Sequence, residues 1–351
     1  MLAMRTLVSA SLVVGVVGSA RAQVAPDPPA SDGSGAPLLP PSAVAPTPPP
    51  PKPQPTGTFQ IGASYRSDEG FGINLGVGQS DLFHTGNALS LDASLDERVQ
   101  HFGMKFIDPH LANNRLTLTA EVYNDRRLLG DTGIWRQAAG ADVSLSTLVA
   151  DHTRAFVGYR FENVENTGNL AWLRAGTSYN TLNTAMAPTR GTSAGVTVGV
   201  AADALGSDYD LMRIDAWFNT HHAFGPFIVH TGGRFAAVDG PNGVPFTEQL
   251  FFNGSSDIRG FGFGDGPGAY SPGNVLGMWR TELELPVIAG VSVRGFWDAG
   301  GILDSSGAGT IAQSLGGGLL WRSPIGPISV DYAIPFVGQG PRWLFAIGQT
   351  F

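Results

Sequence analysis

From Gly57 onward, apolar side chains alternate with polar ones, the period of a β-strand that has two different faces. Phe59, Ile61, Ala63 and Tyr65 interleave with Gln60, Gly62, Ser64 and Arg66. Leu89, Leu91, Ala93 and Leu95 interleave with Ser90, Asp92, Ser94 and Asp96. Near the other end, Trp279, Thr281, Leu283 and Leu285 interleave with Arg280, Glu282 and Glu284. Turn-forming clusters interrupt the pattern at Asn113-Asn114, Gly206 to Asp208, Asp239 to Gly243, Ser305 to Gly307, Pro324 to Pro327 and Gly338 to Pro341. Between the breaks the spacing predicts sixteen strands, over 58–66, 70–79, 87–96, 98–107, 114–124, 134–146, 153–163, 169–180, 191–202, 208–219, 226–237, 274–286, 290–299, 313–322, 327–335 and 342–351.

Alternation alone fits either a soluble sandwich or a membrane barrel. In the first the charges face bulk water; in the second the apolar face meets lipid and the charges line a lumen. Three features favour the barrel. The strands are long and run on without interruption, an even number of them closes without edges, and the chain ends on an aromatic residue, Phe351. An export signal agrees: Arg5, a short apolar run from Leu7 to Val17, and an A-x-A cleavage site at Ala20 to Ala22. Residues 1–22 are therefore read as a signal peptide. Residues 23–56 hold 13 of the 25 prolines and cannot bury a core, so they are read as a disordered periplasmic linker. In polyproline II form it would reach some 90 Å, at about 3.1 Å per residue, far enough to meet a periplasmic partner. Residues 57–351 are the expected barrel.

Composition narrows the function. There is no cysteine, which excludes a lipid-modified cysteine, disulfides and thiolate metal sites. The net charge is −8 and the lysines are Lys52 and Lys105 alone, so nucleic-acid binding is not expected. Neither H-E-x-x-H nor a G-x-x-x-x-G-K phosphate loop occurs. His221-His222 reads as a solvated pair at a turn end, without a third metal ligand nearby in sequence. Asp203 to Asp210 lacks calcium-loop spacing and reads as a turn. Neither an enzyme, a cofactor nor a metal site is expected.

One stretch does not fit the strand pattern. Leu250 to Gly268 is too long for a hairpin turn and too rich in glycine for a strand or helix. It nevertheless carries Phe251, Phe252, Ile258, Phe261 and Phe263 around a single cation, Arg259. An apolar spine with one central charge suits a loop folded back into an enclosed space. The tetrad Ile258, Arg259, Gly260, Phe261 resembles the I/V-R-G-F/Y signature of the BamA/TamA-type outer-membrane assembly-factor superfamily. Further motifs follow in the same order as in that family: Pro188 to Thr192, Leu205 to Asp210, Glu282 to Pro286, Phe296 to Gly300, Gly316 to Pro335, and the ending Phe345 to Phe351. Trp321 and Arg322 stand in the opposite order to the family's, and Gly57 to Ala187 matches in strand texture only. The POTRA modules that normally precede the family's barrel are absent, with the proline-rich stretch in their place, which puts the family's main activity in question.

The resemblance implies an all-β transmembrane antiparallel barrel in the bacterial outer membrane, with one long loop folded into the lumen. By strand parity, Glu282 and Asp298 face inward and can receive Arg259, since a buried guanidinium must meet carboxylates or water. The first and last strands, with Phe59, Ile61, Tyr65, Phe345, Gly348 and Phe351, are expected to form a weakly paired seam, because glycine weakens strands. Three functions follow: assembly or insertion of outer-membrane proteins at that seam, a non-enzymatic channel or structural barrel, and a polypeptide secretion translocator. The expected contacts are outer-membrane lipid and client polypeptides.

Overall fold

A computed structural model describes residues 56–351, apart from 69, 131, 185–186, 263–271, 324–325, 339 and 349–351. Sixteen strands follow one another: β1 (Gly57–Arg66), β2 (Gly70–Leu82), β3 (Asn87–Leu95), β4 (Val99–His110), β5 (Leu116–Leu128), β6 (Trp135–Ala150), β7 (Thr153–Val164) and β8 (Gly168–Asn180), then β9 (Gly191–Ala201), β10 (Leu211–Phe224), β11 (Phe227–Asp239), β12 (Val275–Ile288), β13 (Val291–Leu303), β14 (Gly309–Ser323), β15 (Gly326–Pro335) and β16 (Arg342–Ile347). Each pairs antiparallel with its sequence neighbours, and β1 meets β16, so the sheet closes into a barrel. The signal peptide and all of the linker except Thr56 lie outside the described residues. Hydrogen bonding of the barrel begins at Thr56, whose carbonyl accepts from the Ser80 amide at 2.9 Å.

The two faces of each strand divide as alternation requires. Phe59, Leu91, Leu173, Trp279 and Leu315 stand exposed on the outside, whereas Glu162, Glu282, Glu284, Arg294 and Asp298 are buried on the inside. This is the inverse of a soluble domain, and only a hydrocarbon surround makes the outer face stable. Turns on the end that bears the chain termini are mostly tight. Phe224 pairs with Phe227 across Gly225-Pro226, with φ +57° at Gly225. The exception is the ten-residue connection 181–190 between β8 and β9; the longest connection, 240–274 between β11 and β12, lies at the other end.

Strand ends differ from expectation at several places: β5, β6 and β13 end four residues later, β14 begins four earlier, β16 ends at Ile347 instead of 351, and the largest shift is in β10. β10 runs five residues past the expected 219, to Phe224. His221 is therefore an inward residue, 2% exposed, and not a solvated turn residue, while His222 faces out.

Because Leu315 sits near the middle of β14 and is half exposed outward, Leu315→Arg is expected to lower the unfolding free energy in lipid by about 2–4 kcal/mol. Urea titration in vesicles checks this; a change within about ±0.5 kcal/mol, normal for a water-facing surface site, would contradict a lipid-facing wall.

Candidate functional site

The described part of the connection after β11, residues 240–262, turns back into the lumen instead of projecting from it. Leu250 pairs by an isolated bridge with Gly273, which brings the two ends of the excursion together. Its base packs in an apolar cluster of Leu250 with Ala236, Val238, Leu276 and Ile302. Deeper in, Ile258 and Phe261 pack with Ala312, and Phe252 lies against them. Phe263 lies outside the described residues. Two short 3₁₀ turns, Phe246–Glu248 and Gly254–Ser256, give the loop its bends.

Arg259 is 4% exposed and meets both inward carboxylates. Its Nε donates to Asp298 Oδ2 at 2.7 Å and its Nη2 to Asp298 Oδ1 at 2.8 Å, a bidentate fork. Nη1 donates to Glu282 Oε2 at 2.5 Å, and the Arg259 amide also donates to Asp298, at 3.0 Å. The register explains the fit. Glu282 pairs across the sheet with Phe296, two residues from Asp298, so the carboxylates lie on a diagonal with the Phe296 ring between them. The guanidinium carbon lies 3.5 Å from that ring's centroid, a cation–π contact. Gly260 takes φ +92°, and a Cβ there would come within 3.0 Å of Pro335 and 3.1 Å of Ala333. No other residue can hold that turn so close to β15.

The charge pairs continue along the wall. Arg294 donates bidentately to Asp331, at 2.8 and 2.6 Å, and lies 3.4 Å from Glu282. Arg322 forks onto Glu284 at 2.6 and 2.8 Å, and Ser292 and His230 also bond that carboxylate. The reversed order of Trp321 and Arg322 thus leaves the arginine inward and the tryptophan outward. His221 and His230 face each other with their Nδ1 atoms 2.6 Å apart.

Two further anchors of the loop were not read from the sequence. Glu248 accepts from Arg136 on β6 at 2.8 Å, and Arg136 bonds Glu162 on β7 at 2.9 Å. The Ser255 amide donates to Asp68 at 2.8 Å, and Arg66 of β1 donates to the Ser256 hydroxyl. A lone inward arginine such as Arg136 within β6 was the available signal; its partner 112 residues away was not.

The loop therefore touches β1. β1 and β16 share two register pairs, Tyr65 with Ile347 and Arg66 with Ala346, against ten between β1 and β2. The Tyr65 and Phe345 rings lie 5.9 Å apart. Gly348 takes φ +82°, donates its amide to Pro327 at 2.8 Å and lies against Ala63 and Ser64 of β1. Among the described residues, Gly57 to Ser64 have no β16 partner in the register, and Phe59 and Ile61 stand 72% and 71% exposed. Phe351 lies outside the described residues. Gly191 to Gly195 spells G-x-S-x-G, a nucleophile-elbow string not counted among the motifs above. Ser193 lies within β9, opposite Asn219 and Asn180, not on the strand-to-helix turn that such a nucleophile needs.

A closed barrel with an apolar outside, a charged inside and an arginine-pinned inner loop defines a class of outer-membrane protein. The Omp85 superfamily domain model matches residues 81–351, and the chain belongs to that superfamily. The match begins well before Pro188, where the recognisable motifs start. The chain is 26% identical to the outer membrane protein assembly factor BamA of Neisseria meningitidis, over 84% of this chain and 47% of that protein. It is 23% identical to BamA of Nitratidesulfovibrio vulgaris, over 84% of this chain and 42% of that protein. It thus spans less than half the length of these relatives. Among solved structures, BamA from Haemophilus ducreyi lacking POTRA domains 1–3 aligns with a TM-score of 0.73 at 21% identity, covering 85% of this chain and 71% of that one. CdiB from Acinetobacter baumannii aligns at 0.56 with 13% identity, covering 83% and 59%. The protein resides in the bacterial outer membrane.

Arg259→Ala is expected to take the hydrogen-bonded cation from two buried carboxylates, leaving Glu282 with Arg294 at 3.4 Å and Asp298 with Arg280 at 3.7 Å, a loss of about 3 kcal/mol from loop docking. The variant should still form a heat-modifiable barrel, yet become cleavable by protease between Ser255 and Phe261. Asp298→Asn should show the same exposure more weakly. Protection equal to that of the parent protein would mean that the apolar cluster alone holds the loop.

Proposed function

We propose that the chain assists the folding and insertion of outer-membrane polypeptides at the junction of β1 and β16, with the pinned loop as an internal strut. The observation that carries this reading is the two-pair seam. An unpaired strand edge offers a row of backbone donors and acceptors, and an incoming strand can add to it. Along Gly57 to Ser64 that edge has no register partner among the described residues of β16. Bonds from Asp68 and Arg66 to the loop would hold the far end of β1 in place while the near end pairs with a client. The names of the BamA relatives support this assignment, as does the family. A lumen occupied by the loop speaks against an open solute path.

In this reading residues 1–22 direct export and residues 23–56 are a flexible arm in the periplasm, long enough to engage a partner there. The roles of Ile258, Arg259, Gly260 and Phe261, with Glu282 and Asp298, are to fix the loop's depth. Catalytic chemistry has no part in the proposal: the work is done by exchange of backbone hydrogen bonds.

Amide exchange should be faster over Gly57 to Ser64 than over β13 or Val275 to Glu284 of β12, which are paired on both sides. Uniform protection around the barrel would defeat the seam reading. Depletion of the protein in cells, followed by outer-membrane proteomics, tests the activity. Loss of particular barrel proteins is the expected outcome; loss of a secreted protein instead would make the chain a translocator, and altered solute uptake alone would make it a channel.

A further inference from the structure

Opposite in sequence to the loop anchors, the lumen face of β3, β4 and β5 carries a second polar cluster that plays no part in the seam or the strut. It is built by register. Ser94 pairs with His101 and Asp92 with Gly103 between β3 and β4, while Lys105 pairs with Glu121 and His101 with Asp125 between β4 and β5. Asp92, His101 and Glu121 are thereby drawn together from three adjacent strands, and one ligating atom of each lies within 4.8 Å of the others.

We propose that Asp92, His101 and Glu121 form a binding site for a divalent transition-metal cation of the zinc type. The first argument is spacing. His101 Nε2 lies 3.3 Å from Asp92 Oδ2 and 3.9 Å from Glu121 Oε1. Metal–nitrogen and metal–oxygen bonds of about 2.0–2.2 Å in a tetrahedron set ligand atoms roughly 3.3–3.6 Å apart, so small side-chain movements bring all three to bonding distance. The second argument is space. Gly103 sits beneath the cluster, and a Cβ added there would lie 2.9 Å from Asp92 Oδ2, 2.9 Å from His101 Nε2 and 3.3 Å from Glu121 Oε1. The three ligand atoms converge on the volume that this glycine leaves empty.

The third argument is what the groups lack. His101 Nε2 and Glu121 Oε1 are buried without a hydrogen-bond partner, although Asp92 is near. Such atoms are costly unless something meets them. Behind the imidazole, Asp125 is fully buried, and neither of its oxygens has a hydrogen-bond partner. It lies 3.7 Å from His101 Nδ1. A carboxylate at the far nitrogen of a ligating histidine fixes the tautomer with Nε2 free for the metal and strengthens it as a donor. Lys105 Nζ, 3.4 Å from Glu121 Oε2, holds the carboxylate's other oxygen and leaves Oε1 to the ion. One imidazole and two carboxylates suit zinc or manganese better than copper(I), which favours sulfur.

The test uses the tag-free protein, folded in detergent and verified by heat-modifiability, with Zn²⁺ titrated by calorimetry. One ion per chain is expected to bind, and Co²⁺ in its place should give a tetrahedral visible spectrum. His101→Gln should weaken binding at least tenfold. Gly103→Ala keeps all three ligand residues but fills the space between their ligating atoms and pushes them apart, and should do the same. An Arg259→Ala barrel should bind as tightly as the parent. Failure of the parent protein to bind would overturn the proposal, as would binding that survives both His101→Gln and Gly103→Ala. So would binding lost only on His230→Ala, which would place the ion at the separate group of His230, Glu282 and Glu284. Because none of these readouts involves clients, a negative result would leave the seam reading untouched.

Discussion

A positive charge held inside the barrel organises this protein. The Arg259 guanidinium is nearly shut off from water and cannot shed its proton, so the fold must bring anions to it. Asp298 supplies two oxygens, Glu282 a third, and Phe296 a π-face beneath the plane. Removal of a charge from water is costly, and only near-complete pairing offsets it. The loop's other contacts follow from that placement. With Arg259 at this depth, Gly260 must pass Ala333 and Pro335 at a distance that excludes a side chain, Ile258 and Phe261 land on Ala312, and Ser255 reaches Asp68.

The surrounding wall repeats the same solution. Arg294 shares Glu282 with Arg259 and takes Asp331 for itself, and Arg322 with His230 surrounds Glu284. Glu282 and Glu284 are thus each met by more than one side chain. Networks of this kind resist partial loosening, because displacement of one member leaves another uncompensated. The wall from β12 to β15 is consequently stiff.

Much of this was legible in the sequence because a period of two carries both the strand and its facing. Strand parity alone put Glu282 and Asp298 on the lumen side, and their position just after the loop made them the carboxylates within reach of Arg259. What parity does not carry is the register between strands far apart in sequence. Arg136 meeting Glu248, and Asp68 meeting Ser255, depend on barrel curvature and on loop depth, neither of which a local pattern encodes. His221 was misplaced for a smaller reason: the alternation weakens after Asn219, and the strand continues to Phe224 on the strength of its pairing with β11. The Asp92, His101 and Glu121 group was hidden because its members lie on three strands, and Gly103, which gives it room, looks like any other strand glycine.

The separations along the chain imply an order of assembly. Arg259 finds Glu282 only 23 residues on and Asp298 39 residues on, whereas Glu248 reaches back 112 residues to Arg136 and Ser255 187 residues to Asp68. Near contacts form with less loss of chain freedom than distant ones. The hairpin of β12 and β13 can therefore capture the loop while the sheet is still an open ribbon. The first strand then arrives at a lumen already furnished, and Arg66 and Asp68 dock on a surface that the C-terminal half built in advance. The plug, in this sense, is the template around which the cylinder is rolled.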